Sequence, residues 1–261
     1  MYAGPQLGKT TGRDDTFAVV MSAVLKAVDG YGDLMRMSIA APGNDFRLGA
    51  MEAPPAIMST YYGDSLTNYL KVVKDSGKSP GMYNPAETVV NLGVSSVAPF
   101  TVPAEDRNRT SPFPYGGHRF EFRAVGSTQN VSMVNTVLCS AIAEAFNLFS
   151  DAIEGGQAPL AVAQASLVPT WKTIFNGDGY SAEWPVEAEK RGLLNIPSGV
   201  EATQFLARLF PHPIPQSNPR FTRCISVIFC HFICVVSECI KLLYDLHLKL
   251  NEIFHCSQSS P

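Results

Sequence analysis

A chain of 261 residues with 46% hydrophobic and 16% charged side chains has enough apolar material for a substantial core, which excludes an intrinsically disordered protein. A net charge of −3 and a pI near 6.0 exclude a general electrostatic pull toward nucleic acid or acidic membranes. Any anionic ligand therefore has to be met by local arginines.

The first thirteen residues, MYAGPQLGKTTGR, lack the apolar core of a secretory signal, so the expected location is the cytoplasm, or an organelle such as a plastid. Within them AGPQLGKT imitates a phosphate-binding loop, but Ala3 stands where the first glycine is required and no strand precedes it. Asp14, Asp15 and Thr16 offer capping groups for a helix whose face is Phe17, Val20, Met21, Val24, Leu25 and Val28, at three- and four-residue steps. Residues 40–56 read as loop until Pro54 and Pro55, which fit only the first turn of a helix; a helix is expected from there through Tyr61, Leu66, Leu70 and Val73. The Gly-, Ser- and Pro-rich stretch from Asp75 to Pro85 ends it.

Glu87 to Phe100 is apolar and β-branched enough for one or two strands, and Val102 to Gly117 is a long loop of Pro, Arg and Gly. That loop delivers the chain into GGHRFEFRAVG. At the two-residue period of a strand, Phe120 and Phe122 face one way, Arg119, Glu121 and Arg123 the other, and His118 falls on the aromatic side. After Asn130 the spacing turns helical in MVNTVLCSAIAEAFNLFSDAIE, PLAVAQASLVPTWKTIF and EAEKRGLL, giving a helix-rich second half.

From about Phe205 the text changes to a Pro-punctuated segment and then an apolar, Cys-rich one, so the domain is drawn as 1–205 and the tail, 206–261, is expected to be non-native or poorly ordered. Its uninterrupted apolar run is too short for a membrane span, and Glu238 and Lys241 follow it. Five of the six cysteines crowd this tail, Cys139 stands alone, and no paired C-x-x-C spacing marks a zinc site. The histidines show no H-E-x-x-H helix and no G-x-S-x-G elbow is present, which leaves hydrolase chemistry unsupported. The sequons at Asn108 and Asn130 have no secretory route to give them meaning.

What remains is a set of charges on Gly- and Pro-rich loops around one strand: Arg47, Glu52, Arg107, Arg109, Arg119, Glu121 and Arg123. Arginines fork onto phosphate or carboxylate oxygens, and carboxylates suit Mg²⁺ or proton handling. The set fits chemistry on a polyanion such as ATP.

PGNDFRLGAMEAPPAI, DRNRTSPFPYGGHRFEFRAVGSTQNVSMVNTVL and IFNGDGYSAEWPVEAEKRGLLNIPSGVEA resemble the later part of the catalytic domain of class III glutamine synthetase, from about Leu7 to Phe205. The resemblance implies an α+β fold, a mostly antiparallel sheet packed by several helices and forming half of a funnel. It implies a ligase that joins glutamate and ammonium at the cost of ATP, through γ-glutamyl phosphate, with Mg²⁺ or Mn²⁺ bound. By the same resemblance Glu121 is a metal-binding glutamate, Arg119 faces the nucleotide phosphates and Arg123 holds a glutamate carboxylate.

Glu52 corresponds to the catalytic glutamate of a mobile flap that takes a proton from ammonium. Arg47 corresponds to the arginine that meets substrate glutamate, although its spacing to Glu52 is shorter than in the commoner class. Asn108 and Arg109 match an element on the phosphates, Arg109 with a catalytic role as well, and Arg107 is a weaker candidate. The family's N-terminal domain and its earlier metal ligands are expected to precede this stretch, and its active sites form between subunits of a homo-oligomer. The chain is therefore expected to be inactive alone. The alternative is a non-catalytic module that joins full-length synthetase rings.

Overall fold

The periodic face predicted after Asp14 forms helix α1, Asp14–Ser38, with Phe17, Met21, Val24, Leu25 and Val28 buried and Val20 half-buried. The structure, a computed structural model, describes residues 14–50, 52–85, 88–102 and 110–205. In α1 the helix is broken at Tyr31, where φ is −129° and ψ 19°. Gly30 and Gly32 flank it, and both carry the low helix propensity that lets a turn open.

A short turn, α2, Pro42–Asp45, follows α1. The helix expected from Pro54 starts instead at Gly63, as α3, Gly63–Ser76. Tertiary pairing overrides the proline signal: residues 53–62 form no helix and are largely buried, with bridges from Ile57 to Asn195 and from Thr60 to Ile174. Strand β1, Thr60–Tyr61, lies within this run. The start of α3 is fixed from a distance, because the N–H groups of Tyr62 and Gly63 both donate to Asn176 Oδ1, at 3.1 and 3.0 Å. These are the orphan donors of a helix start, satisfied by a side chain more than a hundred residues away. The helix ends, as predicted, at Gly77, whose left-handed φ of 65° lets its N–H reach Val73 O at 2.8 Å.

The strand-prone stretch forms the antiparallel hairpin β2, Thr88–Val90, and β3, Phe100–Val102. Strand β4, Phe113–Pro114, pairs with β1 in parallel. Helix α4, Val131–Glu154, begins where Asn130 Oδ1 accepts the Ser132 N–H at 2.8 Å. Helix α5, Pro159–Thr170, runs into a 3₁₀ turn, Trp171–Thr173, and is followed by α6, Glu183–Lys190, and α7, Gly199–Thr203.

The main core lies where α1 packs on α4 and α5 and α3 packs on α5, with Phe113, Tyr115, Phe120 and Ala124 closing one side. Tyr62 is buried there and its hydroxyl donates to Met21 O at 2.9 Å; burial, with Tyr115 beside it, pushes its pKa well up. A smaller cluster joins Ile57, Trp184 and Ala188, and Trp184 stacks on Phe175 at 3.6 Å between centroids. Of the described helices, α4 alone is long and apolar enough by composition to cross a membrane. The described residues thus form a mixed α and β unit, helix-rich as expected, whose strands are two-stranded and partly parallel rather than one continuous antiparallel sheet.

Candidate functional site

The charged strand is built by its prolines. Segment 119–125 folds back antiparallel on 112–116: Glu121 N–H donates to Pro114 O at 3.2 Å and Arg123 N–H to Pro112 O at 2.9 Å, while Gly116 N–H returns one bond to Arg119 O at 2.7 Å. The two opposed bonds between 114–116 and 119–121 make the single bridge between Tyr115 and Phe120, and Pro112 and Pro114, which have no N–H to return, keep the pairing from extending as a full ladder. The two-residue alternation is intact. Phe120 and Ala124 are buried and Phe122 packs against the main core, while Arg119 is exposed and Glu121 and Arg123 are half-buried on the other face. Phe120 stacks on Phe113 at 5.0 Å, and Phe122 meets Phe113 edge-on at 5.9 Å, which locks the aromatic side.

On the open side Glu121 is held between two guanidinium groups. Arg119 Nε–H donates to Oε1 at 2.7 Å, and Arg123 Nε–H donates to Oε2 at 3.1 Å. Burial pushes the Glu121 carboxyl up, but hydrogen bonds from Arg119 and Arg123, together with their charges, outweigh it and hold the pKa below its ordinary value. Arg119 also contacts His118 Nε2 through Nη1. The arrangement is two cations around one anion, a net positive surface on which a further carboxylate or phosphate can compete for guanidinium donors.

The loop carrying Arg47 is stapled to the far end of this strand. Arg47 Nη1 donates to Asn44 Oδ1 and to Val125 O, each at 2.9 Å. Asn44 Nδ2 donates to Ile39 O at 3.0 Å and Ala124 O at 2.9 Å. Glu52 is exposed on the turn beyond, whose ends are drawn together by a bridge between Leu48 and Ala53 and by Gly49, which takes a φ of 75°. Arg47 and the strand charges are therefore on one connected framework, while Glu52 makes no side-chain hydrogen bond or ion pair among the described residues. Asn108 and Arg109, with Arg107, lie outside the described residues.

A buried network behind the staple carries no signal in the motif reading. Arg36, 1% exposed, donates from Nε to Ile196 O at 2.6 Å and from Nη2 to Asp45 Oδ1 at 2.9 Å and Pro197 O at 3.0 Å. Asp45 Oδ2 in turn accepts the Gly199 N–H at 2.6 Å. A Cβ at Gly199 would lie 3.0 Å from that oxygen, so a side chain there fits only if the Asp45 carboxylate gives way by a few tenths of an ångström. The clue was an arginine inside an otherwise apolar helix face, since a charge there has to be paired.

No group of three metal-ligating side chains occurs among the described residues, and both oxygens of Glu121 already take arginine donors. This donor set does not by itself fit a divalent cation, which asks for several oxygens.

The geometry defines a mixed α and β unit with a strand face on which two arginines flank one glutamate. Residues 160–209 match the glutamine synthetase C-terminal domain. Over 202 residues, 75% of this chain, it is 39% identical to a type-3 glutamine synthetase of Dictyostelium discoideum. Glutamine synthetases of Bacteroides fragilis (strain YCH46) and Butyrivibrio fibrisolvens are 36% and 35% identical, each over 72% of the chain. Over about three quarters of its length the chain is similar to a part of these glutamine synthetases, and it spans 27% of the length of each of them.

Proposed function

We propose that this chain is the later part of the catalytic domain of an ATP-dependent glutamate–ammonia ligase and does not complete the reaction by itself. The observation that carries the reading is the trio Arg119, Glu121 and Arg123 on one strand face, with Arg47 stapled to the same strand. A purely structural strand has no need of a carboxylate clamped between two arginines on a partly open face.

In this reading Arg119 meets nucleotide phosphate, joined by Asn108 and Arg109. Arg123 and Arg47 hold the substrate carboxylate, and Glu52 accepts a proton as ammonium becomes a nucleophile. Each arginine step is an exchange of one anion for another, so the Glu121 pairs keep the guanidinium groups oriented until a substrate arrives. Glu121 would be one carboxylate of a metal set, and the described residues cluster no three candidate ligands with which to complete it. Strand 119–125 would be one strand of a larger antiparallel sheet, and the ligand set would be completed by further chain or by a neighbouring subunit of a homo-oligomer.

The test is ammonium-dependent phosphate release from ATP and glutamate, with Mg²⁺, by the purified chain beside Glu121→Ala. The expected result is no turnover from folded, monodisperse protein. Turnover that disappears in Glu121→Ala would overturn the claim of incompleteness, and association with full-length synthetase rings without any gain in their activity would favour a non-catalytic module instead.

A further inference from the structure

The segment 88–102, TVVNLGVSSVAPFTV, carries no charged residue and no histidine. It forms the hairpin of β2 and β3, in register from Thr88 opposite Val102 to Val90 opposite Phe100. Every residue from Asn91 to Thr101 is exposed, and Val89, Leu92, Val94, Val97 and Phe100 are between 41% and 59% exposed. A two-stranded hairpin is marginal in water by itself, and an apolar one with open edges is a template for a further strand.

The two edges of this hairpin are not alike. Strand β3 lies between Pro99 and Pro103, neither of which has an N–H to give, so pairing along its outer edge stops at both ends. Strand β2 has no proline from Ala86 to Ala98, and among the described residues its one strand neighbour is β3. The features that protect an open edge, a charge, a bulge or a proline, are all absent from within β2.

We propose that β2 pairs antiparallel with β2 of a second copy of this chain, about a two-fold axis close to Val89, to make one four-stranded sheet. A second copy fits because the edge offers no charge for an unlike partner to complement and none to repel its own image. Antiparallel pairing centred on Val89 carries each loop past the partner's strand to the base of its hairpin, where Met82 is 54% exposed. The exposed parts of Met82, Val89, Leu92, Val94 and Val97 come to roughly 500 Å² per copy, so two copies bring together about 1,000 Å², the size at which specific interfaces begin. Backbone hydrogen bonds along β2 add direction and register. The surface uses none of the residues of the charged strand, and the pairing does not rest on ligase activity.

The experiment is sedimentation velocity of the purified chain from about 1 to about 100 µM at low salt, beside Val89→Lys and Val89→Glu. Val89 is exposed, so both variants should keep the wild-type circular dichroism spectrum. The wild type should pass from monomer to dimer across this range, and each variant alone should dimerise at least about tenfold more weakly. An equimolar mixture of the two should dimerise again, because opposite charges then face each other across the axis.

A wild type that stays monomeric at about 100 µM would overturn the proposal, whatever lipid surface or unlike protein the hairpin then binds. So would dimers that persist in both variants, which would form through another surface. A mixture no more associated than either variant alone would also overturn it, since the hairpin would then enter a groove of its partner rather than meet its own copy.

Discussion

The side-chain amide of Asn44 and the backbone carbonyl of Ala124 lie 2.9 Å apart across eighty residues of sequence, and this contact joins the Arg47 loop to the charged strand. The same nitrogen reaches Ile39 O at 3.0 Å, so one amide ties together the end of α1, the loop and the strand. Asn44 is 2% exposed, which leaves water no access to the acceptors it serves.

Removing that amide should therefore cost stability and position together. Asn44→Ala leaves the carbonyls of Ile39 and Ala124 without their donor and takes away an acceptor of Arg47. An expected loss of about 2–3 kcal/mol, read from urea unfolding, follows from buried groups left unsatisfied. Asn44→Asp keeps an acceptor for Arg47 but not the donor, and should fall well short of the wild type as well. Wild-type stability in Asn44→Ala would show that the staple does not hold the loop.

The Glu121 carboxylate supplies a pH dependence whose sign can be worked out. Its pKa in the fold is depressed by Arg119 and Arg123, so the native state favours the charged form. The stabilisation is present above the unfolded-state pKa and is lost as pH falls through the lower, folded one. Since the side chain is 34% exposed, solvent screens the pairs and the contribution should stay under about 1 kcal/mol. Glu121→Gln should thus melt slightly lower than the wild type at pH 7 and nearly with it at pH 3, measured by thermal denaturation at low salt. A constant difference across that range would place the effect elsewhere.

These two sites divide what the sequence makes legible from what it hides. The alternation of Arg119, Phe120, Glu121, Phe122 and Arg123 is a local periodicity and survives folding unchanged. So do the buried face of α1 and the helical spacing after Asn130 that becomes α4, because both are set within a turn or two of chain. The start of α3 was illegible: Pro54 and Pro55 carry a helix-start signal, yet Ile57 and Thr60 are pulled into bridges with Asn195 and Ile174, partners more than a hundred residues away. The Arg36 and Asp45 network was hidden likewise, since its acceptors are backbone carbonyls at Ile196 and Pro197 that no side-chain pattern announces. Pairing direction was only half legible, because Pro112 and Pro114 announce a loop while their carbonyls still support a strand.

Asn176 tests the remote capping of α3. Its Oδ1 takes two helix-start donors and its Nδ2 donates to Thr67 Oγ1 at 2.9 Å. Asn176→Ala should cost about 1–2 kcal/mol, as loss of a good cap does. Amide exchange should then speed up at Tyr62, Gly63 and the first turn of α3 more than at its end. Uniform acceleration across α3 would mean global loosening instead.

Gly179 is closed to any side chain for a different reason. A Cβ there would sit 2.5 Å from the Thr110 carbonyl oxygen, a backbone atom that has no rotamer to escape into. Gly179→Ala should therefore destabilise by about 1–3 kcal/mol, the usual cost of forced overpacking, although alanine is easier on the unfolded chain. An alanine variant as stable as the wild type, by chemical denaturation, would show that the two segments separate freely.

Divalent cations give the last prediction, because the donor geometry argues against tight binding by this chain alone. A carboxylate already accepting from Arg119 and Arg123 offers a cation one crowded ligand beside two positive charges. Mg²⁺ and Mn²⁺ require several oxygens, and the described residues cluster no three candidate ligands. Anything that binds the native state raises its melting temperature by mass action. Added Mn²⁺ at about 1 mM should accordingly leave the melting curve where EDTA leaves it. If Mn²⁺ raises the wild-type midpoint and Glu121→Gln removes the rise, this chain holds a metal through Glu121 without help, and the view of the trio as an incomplete ligand set is wrong.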